Sequence, residues 1–175
     1  FVEPGAAIPW IRELSGVARI AVVVNPEPEL LERLRESGGF DAIQFHGDET
    51  PSQCDAAGRA YLRAARMAPG IDLLDFAARF SNAQALLLDT HVEAYGGGGK
   101  VFDWSLVPPD VPLPVVLSGG LNAANVIDGM LRVRPWAVDV SSGVESAKGI
   151  KDAEAMRRFC QAVREADART ADTVI

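Results

Sequence analysis

The residues with the clearest chemical potential lie at the ends of short apolar runs. Residues 86–90, Leu-Leu-Leu-Asp-Thr, end such a run in one carboxylate, and four consecutive glycines precede Lys100. Enzymes built on parallel sheets carry catalytic side chains at the carboxyl ends of their strands. We therefore predict that Asp89 is a general acid beneath a mobile glycine-rich loop at residues 95–100. The alternative is that Asp89 caps a turn or pairs with a nearby lysine.

Two later apolar runs end in small residues. Residues 113–117 lead into Ser-Gly-Gly, and residues 136–140 lead into Ser-Ser-Gly. Turns of this kind present backbone N–H groups to phosphate, and barrel enzymes often hold phosphate after their last two strands. A phosphorylated small molecule is the predicted ligand, with ordinary glycine turns as the alternative. The predicted binding residues are Gly119, Gly120, Ser141, Ser142 and Gly143, with Asp139 orienting the loops through hydrogen bonds.

Gln44 and His46 lie two residues apart at the end of another predicted strand, so their side chains share one face. We predict that both bind substrate at the mouth of a barrel. A structural histidine with satisfied hydrogen bonds is an equally weighted alternative. Asp48 and Glu49 follow at the predicted start of a helix, where carboxylates suit the positive end of the helix dipole.

Two other chemistries fit the sequence poorly. The glycine-rich stretch does not match a nucleotide-binding loop, because Val101 occupies the position of the Ser or Thr that holds magnesium. Only three lysines are present and none ends an apolar run, which disfavours a Schiff-base mechanism.

Apolar runs alternate with amphipathic stretches, as in a parallel α/β sheet. The helix at 27–37 is expected to follow Asn25 and Pro26, which are the predicted cap and first-turn proline, and residues 166–175 are expected to form a frayed polar tail. A closed eight-stranded barrel usually needs at least about 200 residues, so about six βα units are expected here. Strands are predicted over residues 19–24, 41–45, 61–66, 84–88, 114–117 and 137–140, and further helices over 51–57, 71–79, 123–132 and 152–165.

Composition limits the class of protein. The chain of 175 residues is 48% apolar and 23% charged with a net charge of −7, which predicts one globular domain over residues 1–175. Neither a membrane span nor a clustered basic face for nucleic acid is expected. Cys54 and Cys160 are too far apart for a CxxC pair, so we expect no disulfide, no metal site and a cytoplasmic location.

Five segments together resemble the phosphoribosylanthranilate isomerase family of tryptophan biosynthesis. They are Gln-Phe-His-Gly-Asp-Glu at 44–49, Leu-Leu-Leu-Asp-Thr at 86–90, the stretch 95–106, Leu-Ser-Gly-Gly-Leu-Asn at 117–122, and Val-Asp-Val-Ser-Ser-Gly-Val-Glu at 138–145. The resemblance implies a (β/α)₈ barrel that catalyses an Amadori rearrangement without metal or organic cofactor. It implies that Asp89 protonates the ribose ring oxygen while a base takes the C2 proton.

The family's base is a cysteine in a Lys-Ile-Cys-Gly-like first strand, and an arginine meets the substrate carboxylate. This chain contains neither motif, and Cys54 and Cys160 lie on predicted helices that cannot supply the base. We expect the first two βα units to lie on a segment that precedes Phe1, so that the intact mass exceeds 18.7 kDa.

The alternative is a catalytically incomplete barrel that binds a phosphorylated ligand. It would expose two unpaired sheet edges unless a partner strand or a second copy, as in a homodimer, covers them. A third candidate, indole-glycerol-phosphate synthase, would need a lysine at an early strand end, where Val24 leads into Asn25.

Overall fold

The computed structural model describes residues 4–90 and 101–171. Its main feature is a six-stranded parallel sheet in which each strand pairs with the next one along the chain. Consecutive parallel strands with intervening helices are the arrangement predicted from the sequence. The strands are β1 Ile20–Val23, β2 Ala42–Phe45, β3 Tyr61–Met67, β4 Ala85–Thr90, β5 Val115–Leu117 and β6 Ala137–Val138.

Helices connect the strands and cover one face of the sheet, except between β4 and β5, where the described residues contain only a 3₁₀ turn at Trp104–Leu106. A two-stranded antiparallel hairpin follows β6, formed by β7 Glu145–Ala147 and β8 Ile150–Lys151. In the described part of the chain, no helix is both long and apolar enough to span a membrane. The helices are α1 Pro4–Ile11, α2 Pro28–Ser37, α3 Pro51–Ala56, α4 Leu73–Arg79, α5 Val126–Val133 and α6 Ala153–Ala171.

The two ends of the sheet are open. Among the described residues β1 pairs only with β2, and β6 pairs only with β5, so the strands form part of a barrel wall. The six strands agree with the number of about six βα units predicted from the sequence. On β1, Val22 is 61% exposed although it is apolar, since it faces the interior where the wall is incomplete.

Strand β4 separates two apolar clusters by the alternation of its side chains. Leu86 and Leu88 are fully buried among the helices, whereas Ala85 and Leu87 pack with inward-facing residues of β3 and β5. Burying one leucine contributes about 1.5–3 kcal/mol, so a shift of register by one residue would be strongly disfavoured. Asp89 has the same parity as Leu87 and therefore lies on the interior side at the carboxyl end of β4.

The predicted cap of α2 is wrong. Glu27 occupies the N-cap position without a side-chain capping hydrogen bond, and Pro28 rather than Pro26 lies in the first turn. Asn25 instead adopts a left-handed conformation with φ of 45°, and its side-chain oxygen accepts a hydrogen bond from the Asp48 backbone N–H at 2.7 Å. Asn tolerates this conformation better than most residues, so Asn25 serves the loop after β1.

Helix α3 begins at Pro51, as predicted, directly after its cap Thr50. Thr50 and Gln53 form a capping box, each side chain accepting a hydrogen bond from the other residue's backbone N–H. Asp48 and Glu49 therefore do not serve the helix dipole, and both pair with arginines of β3.

The expected frayed tail is also wrong over most of its length. Helix α6 continues to Ala171, because Ala166 is fully buried and extends the stripe formed by Phe159 and Ala162 against α5. The sequence interpretation did not predict α1 or the β7–β8 hairpin, and it placed the end of the last strand at residue 140 rather than Val138. The predicted glycine-rich loop at 95–100 lies outside the described residues.

Candidate active site

Three of the predicted site residues meet at the carboxyl ends of β2 and β4. His46 Nε2 lies 2.9 Å from Asp89 Oδ2, and Gln44 Nε2 lies 3.1 Å from His46 Nδ1. The other carboxylate oxygen, Asp89 Oδ1, accepts a hydrogen bond from the Thr90 backbone N–H at 2.8 Å. The His46 and Asp89 side chains are 23% and 29% exposed, so both are fixed by partners yet accessible from the barrel mouth.

These contacts assign the position of the imidazole proton. With the Gln44 amide in this orientation, its Nε2 donates to His46 Nδ1, which places the ring proton on Nε2. His46 then donates this proton to Asp89 Oδ2. Each Asp89 oxygen thus accepts one hydrogen bond and keeps one lone pair available to a ligand.

Arg66 brings a positive charge to the same rim, and sequence reasoning missed it. Its guanidinium lies 2.8 Å from Asp48 Oδ1, and its Nη2 donates to the His46 carbonyl oxygen at 3.5 Å. Arg66 pairs in register with Asp89 across β3 and β4. The signal that could have revealed it is an arginine near the end of a predicted strand, on the inward parity.

The two predicted phosphate-binding loops are neighbours, because β5 pairs with β6. Gly119 and Gly120 have φ of 76° and 68°, a conformation that favours glycine. The second loop forms a 3₁₀ turn at Ser142–Val144. A Cβ on Gly143 would lie 1.8 Å from the Leu121 carbonyl oxygen, so the two loops are in direct contact.

Polar side chains connect these loops. Ser118 Oγ donates to Asp139 Oδ2 at 2.8 Å, which links the ends of β5 and β6. Asn125 Nδ2 donates to the Gly120 carbonyl oxygen at 3.0 Å, and Asn122 Oδ1 accepts from a backbone N–H of its own turn. The structure therefore brings Asp139 to the junction of the loops.

The first of these loops also lies against the acid. A Cβ on Gly119 would approach Thr90 Oγ1 to 2.4 Å and Asp89 Oδ1 to 2.9 Å, which only a glycine permits. The carboxylate at the end of β4 and the glycine turn after β5 therefore form one continuous site.

Lys151 on the β7–β8 hairpin was also missed from the sequence. Its Nζ donates to the Ser141 carbonyl oxygen at 2.9 Å, lies 3.2 Å from Ser141 Oγ and pairs with Glu145 Oε1 at 2.7 Å. The hydrogen bond from Lys151 lowers the pKa of Glu145. The hairpin thus places the ammonium group of Lys151 beside the second glycine-containing loop.

Comparisons with known proteins agree with this arrangement. The family model described as N-(5'phosphoribosyl)anthranilate (PRA) isomerase matches residues 6–162. A protein of that name from Leptothrix cholodnii is 70% identical over 156 residues, which cover 89% of this chain and 71% of the relative. This chain belongs to the N-(5'-phosphoribosyl)anthranilate isomerase family.

Solved structures of the family have the same fold. One, described as monomers of a dimeric isomerase from Thermotoga maritima, is 34% identical with a TM-score of 0.81, over 94% of this chain and 81% of that one. Another, an isomerase in complex with reduced 1-(o-carboxyphenylamino)-1-deoxyribulose 5-phosphate, is 34% identical with a TM-score of 0.80 and the same coverage. The barrel class and the family predicted from the sequence are confirmed.

The two cysteines lie away from this isomerase site. Cys54 is fully buried in α3, where burial raises the pKa of its thiol to about 11. Cys160 is exposed on α6. Neither thiol is placed to act on a ligand beside Asp89, as expected from their helical positions.

A cavity of about 510 Å³ between α2 and α3 is separate from the site. Glu27, Leu31 and Gln53 are among its lining residues, and neither His46 nor Asp89 is. In residues 4–90 and 101–171, no cluster of three or more His, Cys, Asp or Glu side chains is arranged to hold a metal ion.

Proposed function

We propose that this chain supplies the proton donor and the phosphate site for the reaction of its family, the Amadori rearrangement of N-(5'-phosphoribosyl)anthranilate to 1-(2-carboxyphenylamino)-1-deoxyribulose 5-phosphate. The reaction is an aldose–ketose isomerisation. Protonation of the ribose ring oxygen breaks its bond to C1 and leaves a Schiff base between C1 and the anthranilate nitrogen. Removal of the C2 proton gives an enolamine, which gains a proton at C1, loses the proton of its C2 hydroxyl and becomes the C2 ketone.

Asp89 is the proton donor in the first step. His46 Nε2 and the Thr90 N–H each occupy one lone pair, so a proton on a remaining lone pair can point to the sugar. Once that proton has left, the same two donors stabilise the carboxylate. They also fix its orientation, which general acid catalysis requires at hydrogen-bond distance from the ring oxygen.

The loops after β5 and β6 hold the substrate phosphate. Backbone N–H groups of Gly119, Gly120 and the segment Ser141, Ser142 and Gly143 supply the donors, and Lys151 adds positive charge close to Ser141. The contact between Gly119 and Asp89 supports this assignment, because it fixes the phosphate loop relative to the acid. Binding the phosphate thereby orients the ribose ring toward Asp89.

The observation that carries the proposal is the short contact between His46 and Asp89 beside the glycine turn. Asp89→Asn should lower kcat by about 10²–10⁴-fold while the protein remains folded, since general acid catalysis contributes that much. Asp128→Asn, an exposed change on α5, is the matched control and should keep normal turnover. The decay of anthranilate fluorescence in the complete gene product measures both, and normal turnover by Asp89→Asn would exclude Asp89 as the acid.

The alternative hypothesis is a catalytically incomplete barrel that binds a phosphorylated ligand, and the family match disfavours it. It predicts that the complete gene product binds a non-reactive substrate analogue, such as the reduced product, yet shows no turnover. The family reaction predicts both binding and turnover. The group that removes the C2 proton belongs, by the family resemblance, to a Lys-Ile-Cys-Gly-like strand that this chain does not contain.

A second copy of the protein is the proposed partner, and the cytoplasm the proposed location. A structural relative described as dimeric supports the homodimer. The single six-stranded sheet supports assigning residues 1–175 to one barrel domain. Sedimentation at equilibrium tests the dimer, and a mass of one chain would exclude it.

A further inference from the structure

An ion pair is buried in the wall of the barrel, directly behind the site. Arg63 and Glu49 have side chains only 6% and 3% exposed, and Arg63 Nη1 lies 3.5 Å from Glu49 Oε2. The guanidinium packs over the rings of Phe76 and Phe80, with its carbon 5.6 and 4.9 Å from the ring centres. Burial lowers the pKa of Arg63, and the Glu49 charge opposes this shift.

The hydrogen bonds of this pair converge on the two neighbours of His46. Arg63 Nη1 donates to the Phe45 carbonyl oxygen and Nη2 to the Gly47 carbonyl oxygen, both at 3.0 Å. Glu49 Oε2 accepts from the Gly47 backbone N–H at 2.9 Å. The peptide groups on both sides of His46 are therefore held by one buried pair.

Glu49 also connects this segment to the loop after β1. Its Oε1 accepts from the Asn25 backbone N–H at 2.7 Å. The fit is tight, because a Cβ on Gly47 would lie 2.4 Å from Asn25 Oδ1 and 2.7 Å from its backbone nitrogen. Two strand ends are thus fixed relative to each other at the point where His46 leaves the sheet.

A gain in folding stability does not by itself explain the buried pair of Arg63 and Glu49. Apolar residues of similar volume often replace a buried ion pair at no cost in stability, so the pair contributes geometry more than stability. The planar guanidinium is suited to this task, since it places two donors at a fixed separation on two carbonyl oxygens. Arg63 Nε has no hydrogen-bond partner among the described residues, so the group is oriented by these carbonyls rather than by complete pairing.

We propose that Arg63 and Glu49 are positioning residues that hold His46 in the orientation in which its Nε2–H meets Asp89. This inference rests on the proposed function, in which Asp89 is the acid. Loss of the pair leaves the phosphate loops in place, since no contact connects it to Gly119 or Gly143 in the described residues. The expected kinetic signature is a fall in kcat with KM nearly unchanged.

Two variants are decisive. Arg63→Met keeps the length of the side chain, and Arg63→Lys keeps its charge but replaces the planar guanidinium by a single ammonium group. We expect kcat to fall by about 100-fold in Arg63→Met, the cost of displacing a reacting group by about 1 Å. Arg63→Lys should restore kcat only in part. Phe80→Leu is the matched control, because it removes the ring beneath the guanidinium and leaves both carbonyl contacts. It should keep kcat within about twofold at a similar loss of melting temperature.

A second readout does not depend on activity. Of the two histidines in this chain, His91→Gln leaves only His46. The NMR chemical shifts of its ring nitrogens then report the tautomer. The parent should show the proton on Nε2, and both Arg63 variants should show a mixture of tautomers. If Arg63→Met does not fold, Arg63→Lys and Glu49→Gln provide the same comparison.

The outcomes separate the positioning role of Arg63 from its effect on catalysis. An unchanged His46 tautomer in the folded Arg63 variants overturns the positioning role. A mixed tautomer with kcat equal to that of Phe80→Leu overturns its catalytic consequence, and with it the role of His46 beside Asp89. A mixed tautomer together with lower kcat and constant KM supports the proposal.

Discussion

Gly119→Ala should disable the acid without altering any residue that binds a proton. Gly119 has φ of 76°, and its backbone lies so close to β4 that an added Cβ would meet Thr90 Oγ1 at 2.4 Å and Asp89 Oδ1 at 2.9 Å. Ordinary contact begins near 3.4 Å, so the loop and the end of β4 must separate by about 1 Å. Misplacing a reacting group by this distance costs about 100-fold in rate, or about 2.7 kcal/mol of barrier.

The control for this change is Gly16→Ala. Gly16 has φ of 73°, nearly the same as Gly119, yet nothing lies within 4 Å of its added Cβ. It precedes β1 and so lies at the opposite rim from the strand ends that form the site. Both variants should lose about 1–2 kcal/mol of folding free energy from the left-handed conformation, and only Gly119→Ala should lose activity beyond that.

Steady-state fluorescence assays and urea denaturation of the two variants test this difference. We expect kcat of Gly119→Ala to be about 100-fold below that of Gly16→Ala, with KM raised as well because the phosphate loop moves. Equal kcat values in two folded variants would refute the reasoning, since the close approach of Gly119 would then not control the position of Asp89.

Three other predictions follow from single side chains. Burial and a hydrogen bond to a neighbouring carboxylate raise the pKa of Tyr61 in the folded protein above that in the unfolded chain. The neutral phenol therefore stabilises the fold fully below about pH 10, and this stabilisation is lost as the pH rises through the pKa of the folded state. In Tyr95→Phe, the folded protein should therefore show no tyrosinate absorbance at pH 10.5, and half-ionisation there would contradict the burial of Tyr61. Of the two thiols in residues 1–175, only that of Cys160 should react quickly with a thiol reagent, and Cys160→Ser should abolish labelling of this part of the chain because Cys54 is buried. Lys151→Met should raise KM about tenfold with a smaller change in kcat, and an unchanged KM would exclude Lys151 from the phosphate site.

The strands and their inward faces could be predicted from the sequence because the signal is local. Each strand is a short apolar run ended by a polar or small residue, and alternation determines which side chains share a face. This placed Asp89 with Ala85 and Leu87, and Gln44 with His46, on the faces where the structure has them. The common edge of parallel strands then brings these side chains together without knowledge of any helix.

The missed residues depend on contacts that are distant in sequence. Arg63 lies in an apolar strand on the outward parity, where its partners are carbonyl oxygens 16 and 18 residues away, and composition gives no sign of them. The true cap of α2 was missed because Asn25 is a good cap by residue type, yet the loop to Asp48 uses its side chain instead. The extent of α6 was underestimated because polar residues surround Ala166, whose burial depends on α5.

The position of Asp89 depends on four consecutive strands rather than on the edges of the sheet. His46 approaches Asp89 from the end of β2, Gly119 approaches from the end of β5, and Arg63 on β3 holds the segment that carries His46. Strands β2 to β5 pair with one another throughout, whereas the open edges are on β1 and β6. Strand pairing at those edges can therefore vary while the His46–Asp89 part of the site keeps its geometry. The predicted phosphate site is different, because its second loop follows β6. We therefore expect the affinity for phosphate to fall first when the barrel wall is perturbed at that edge.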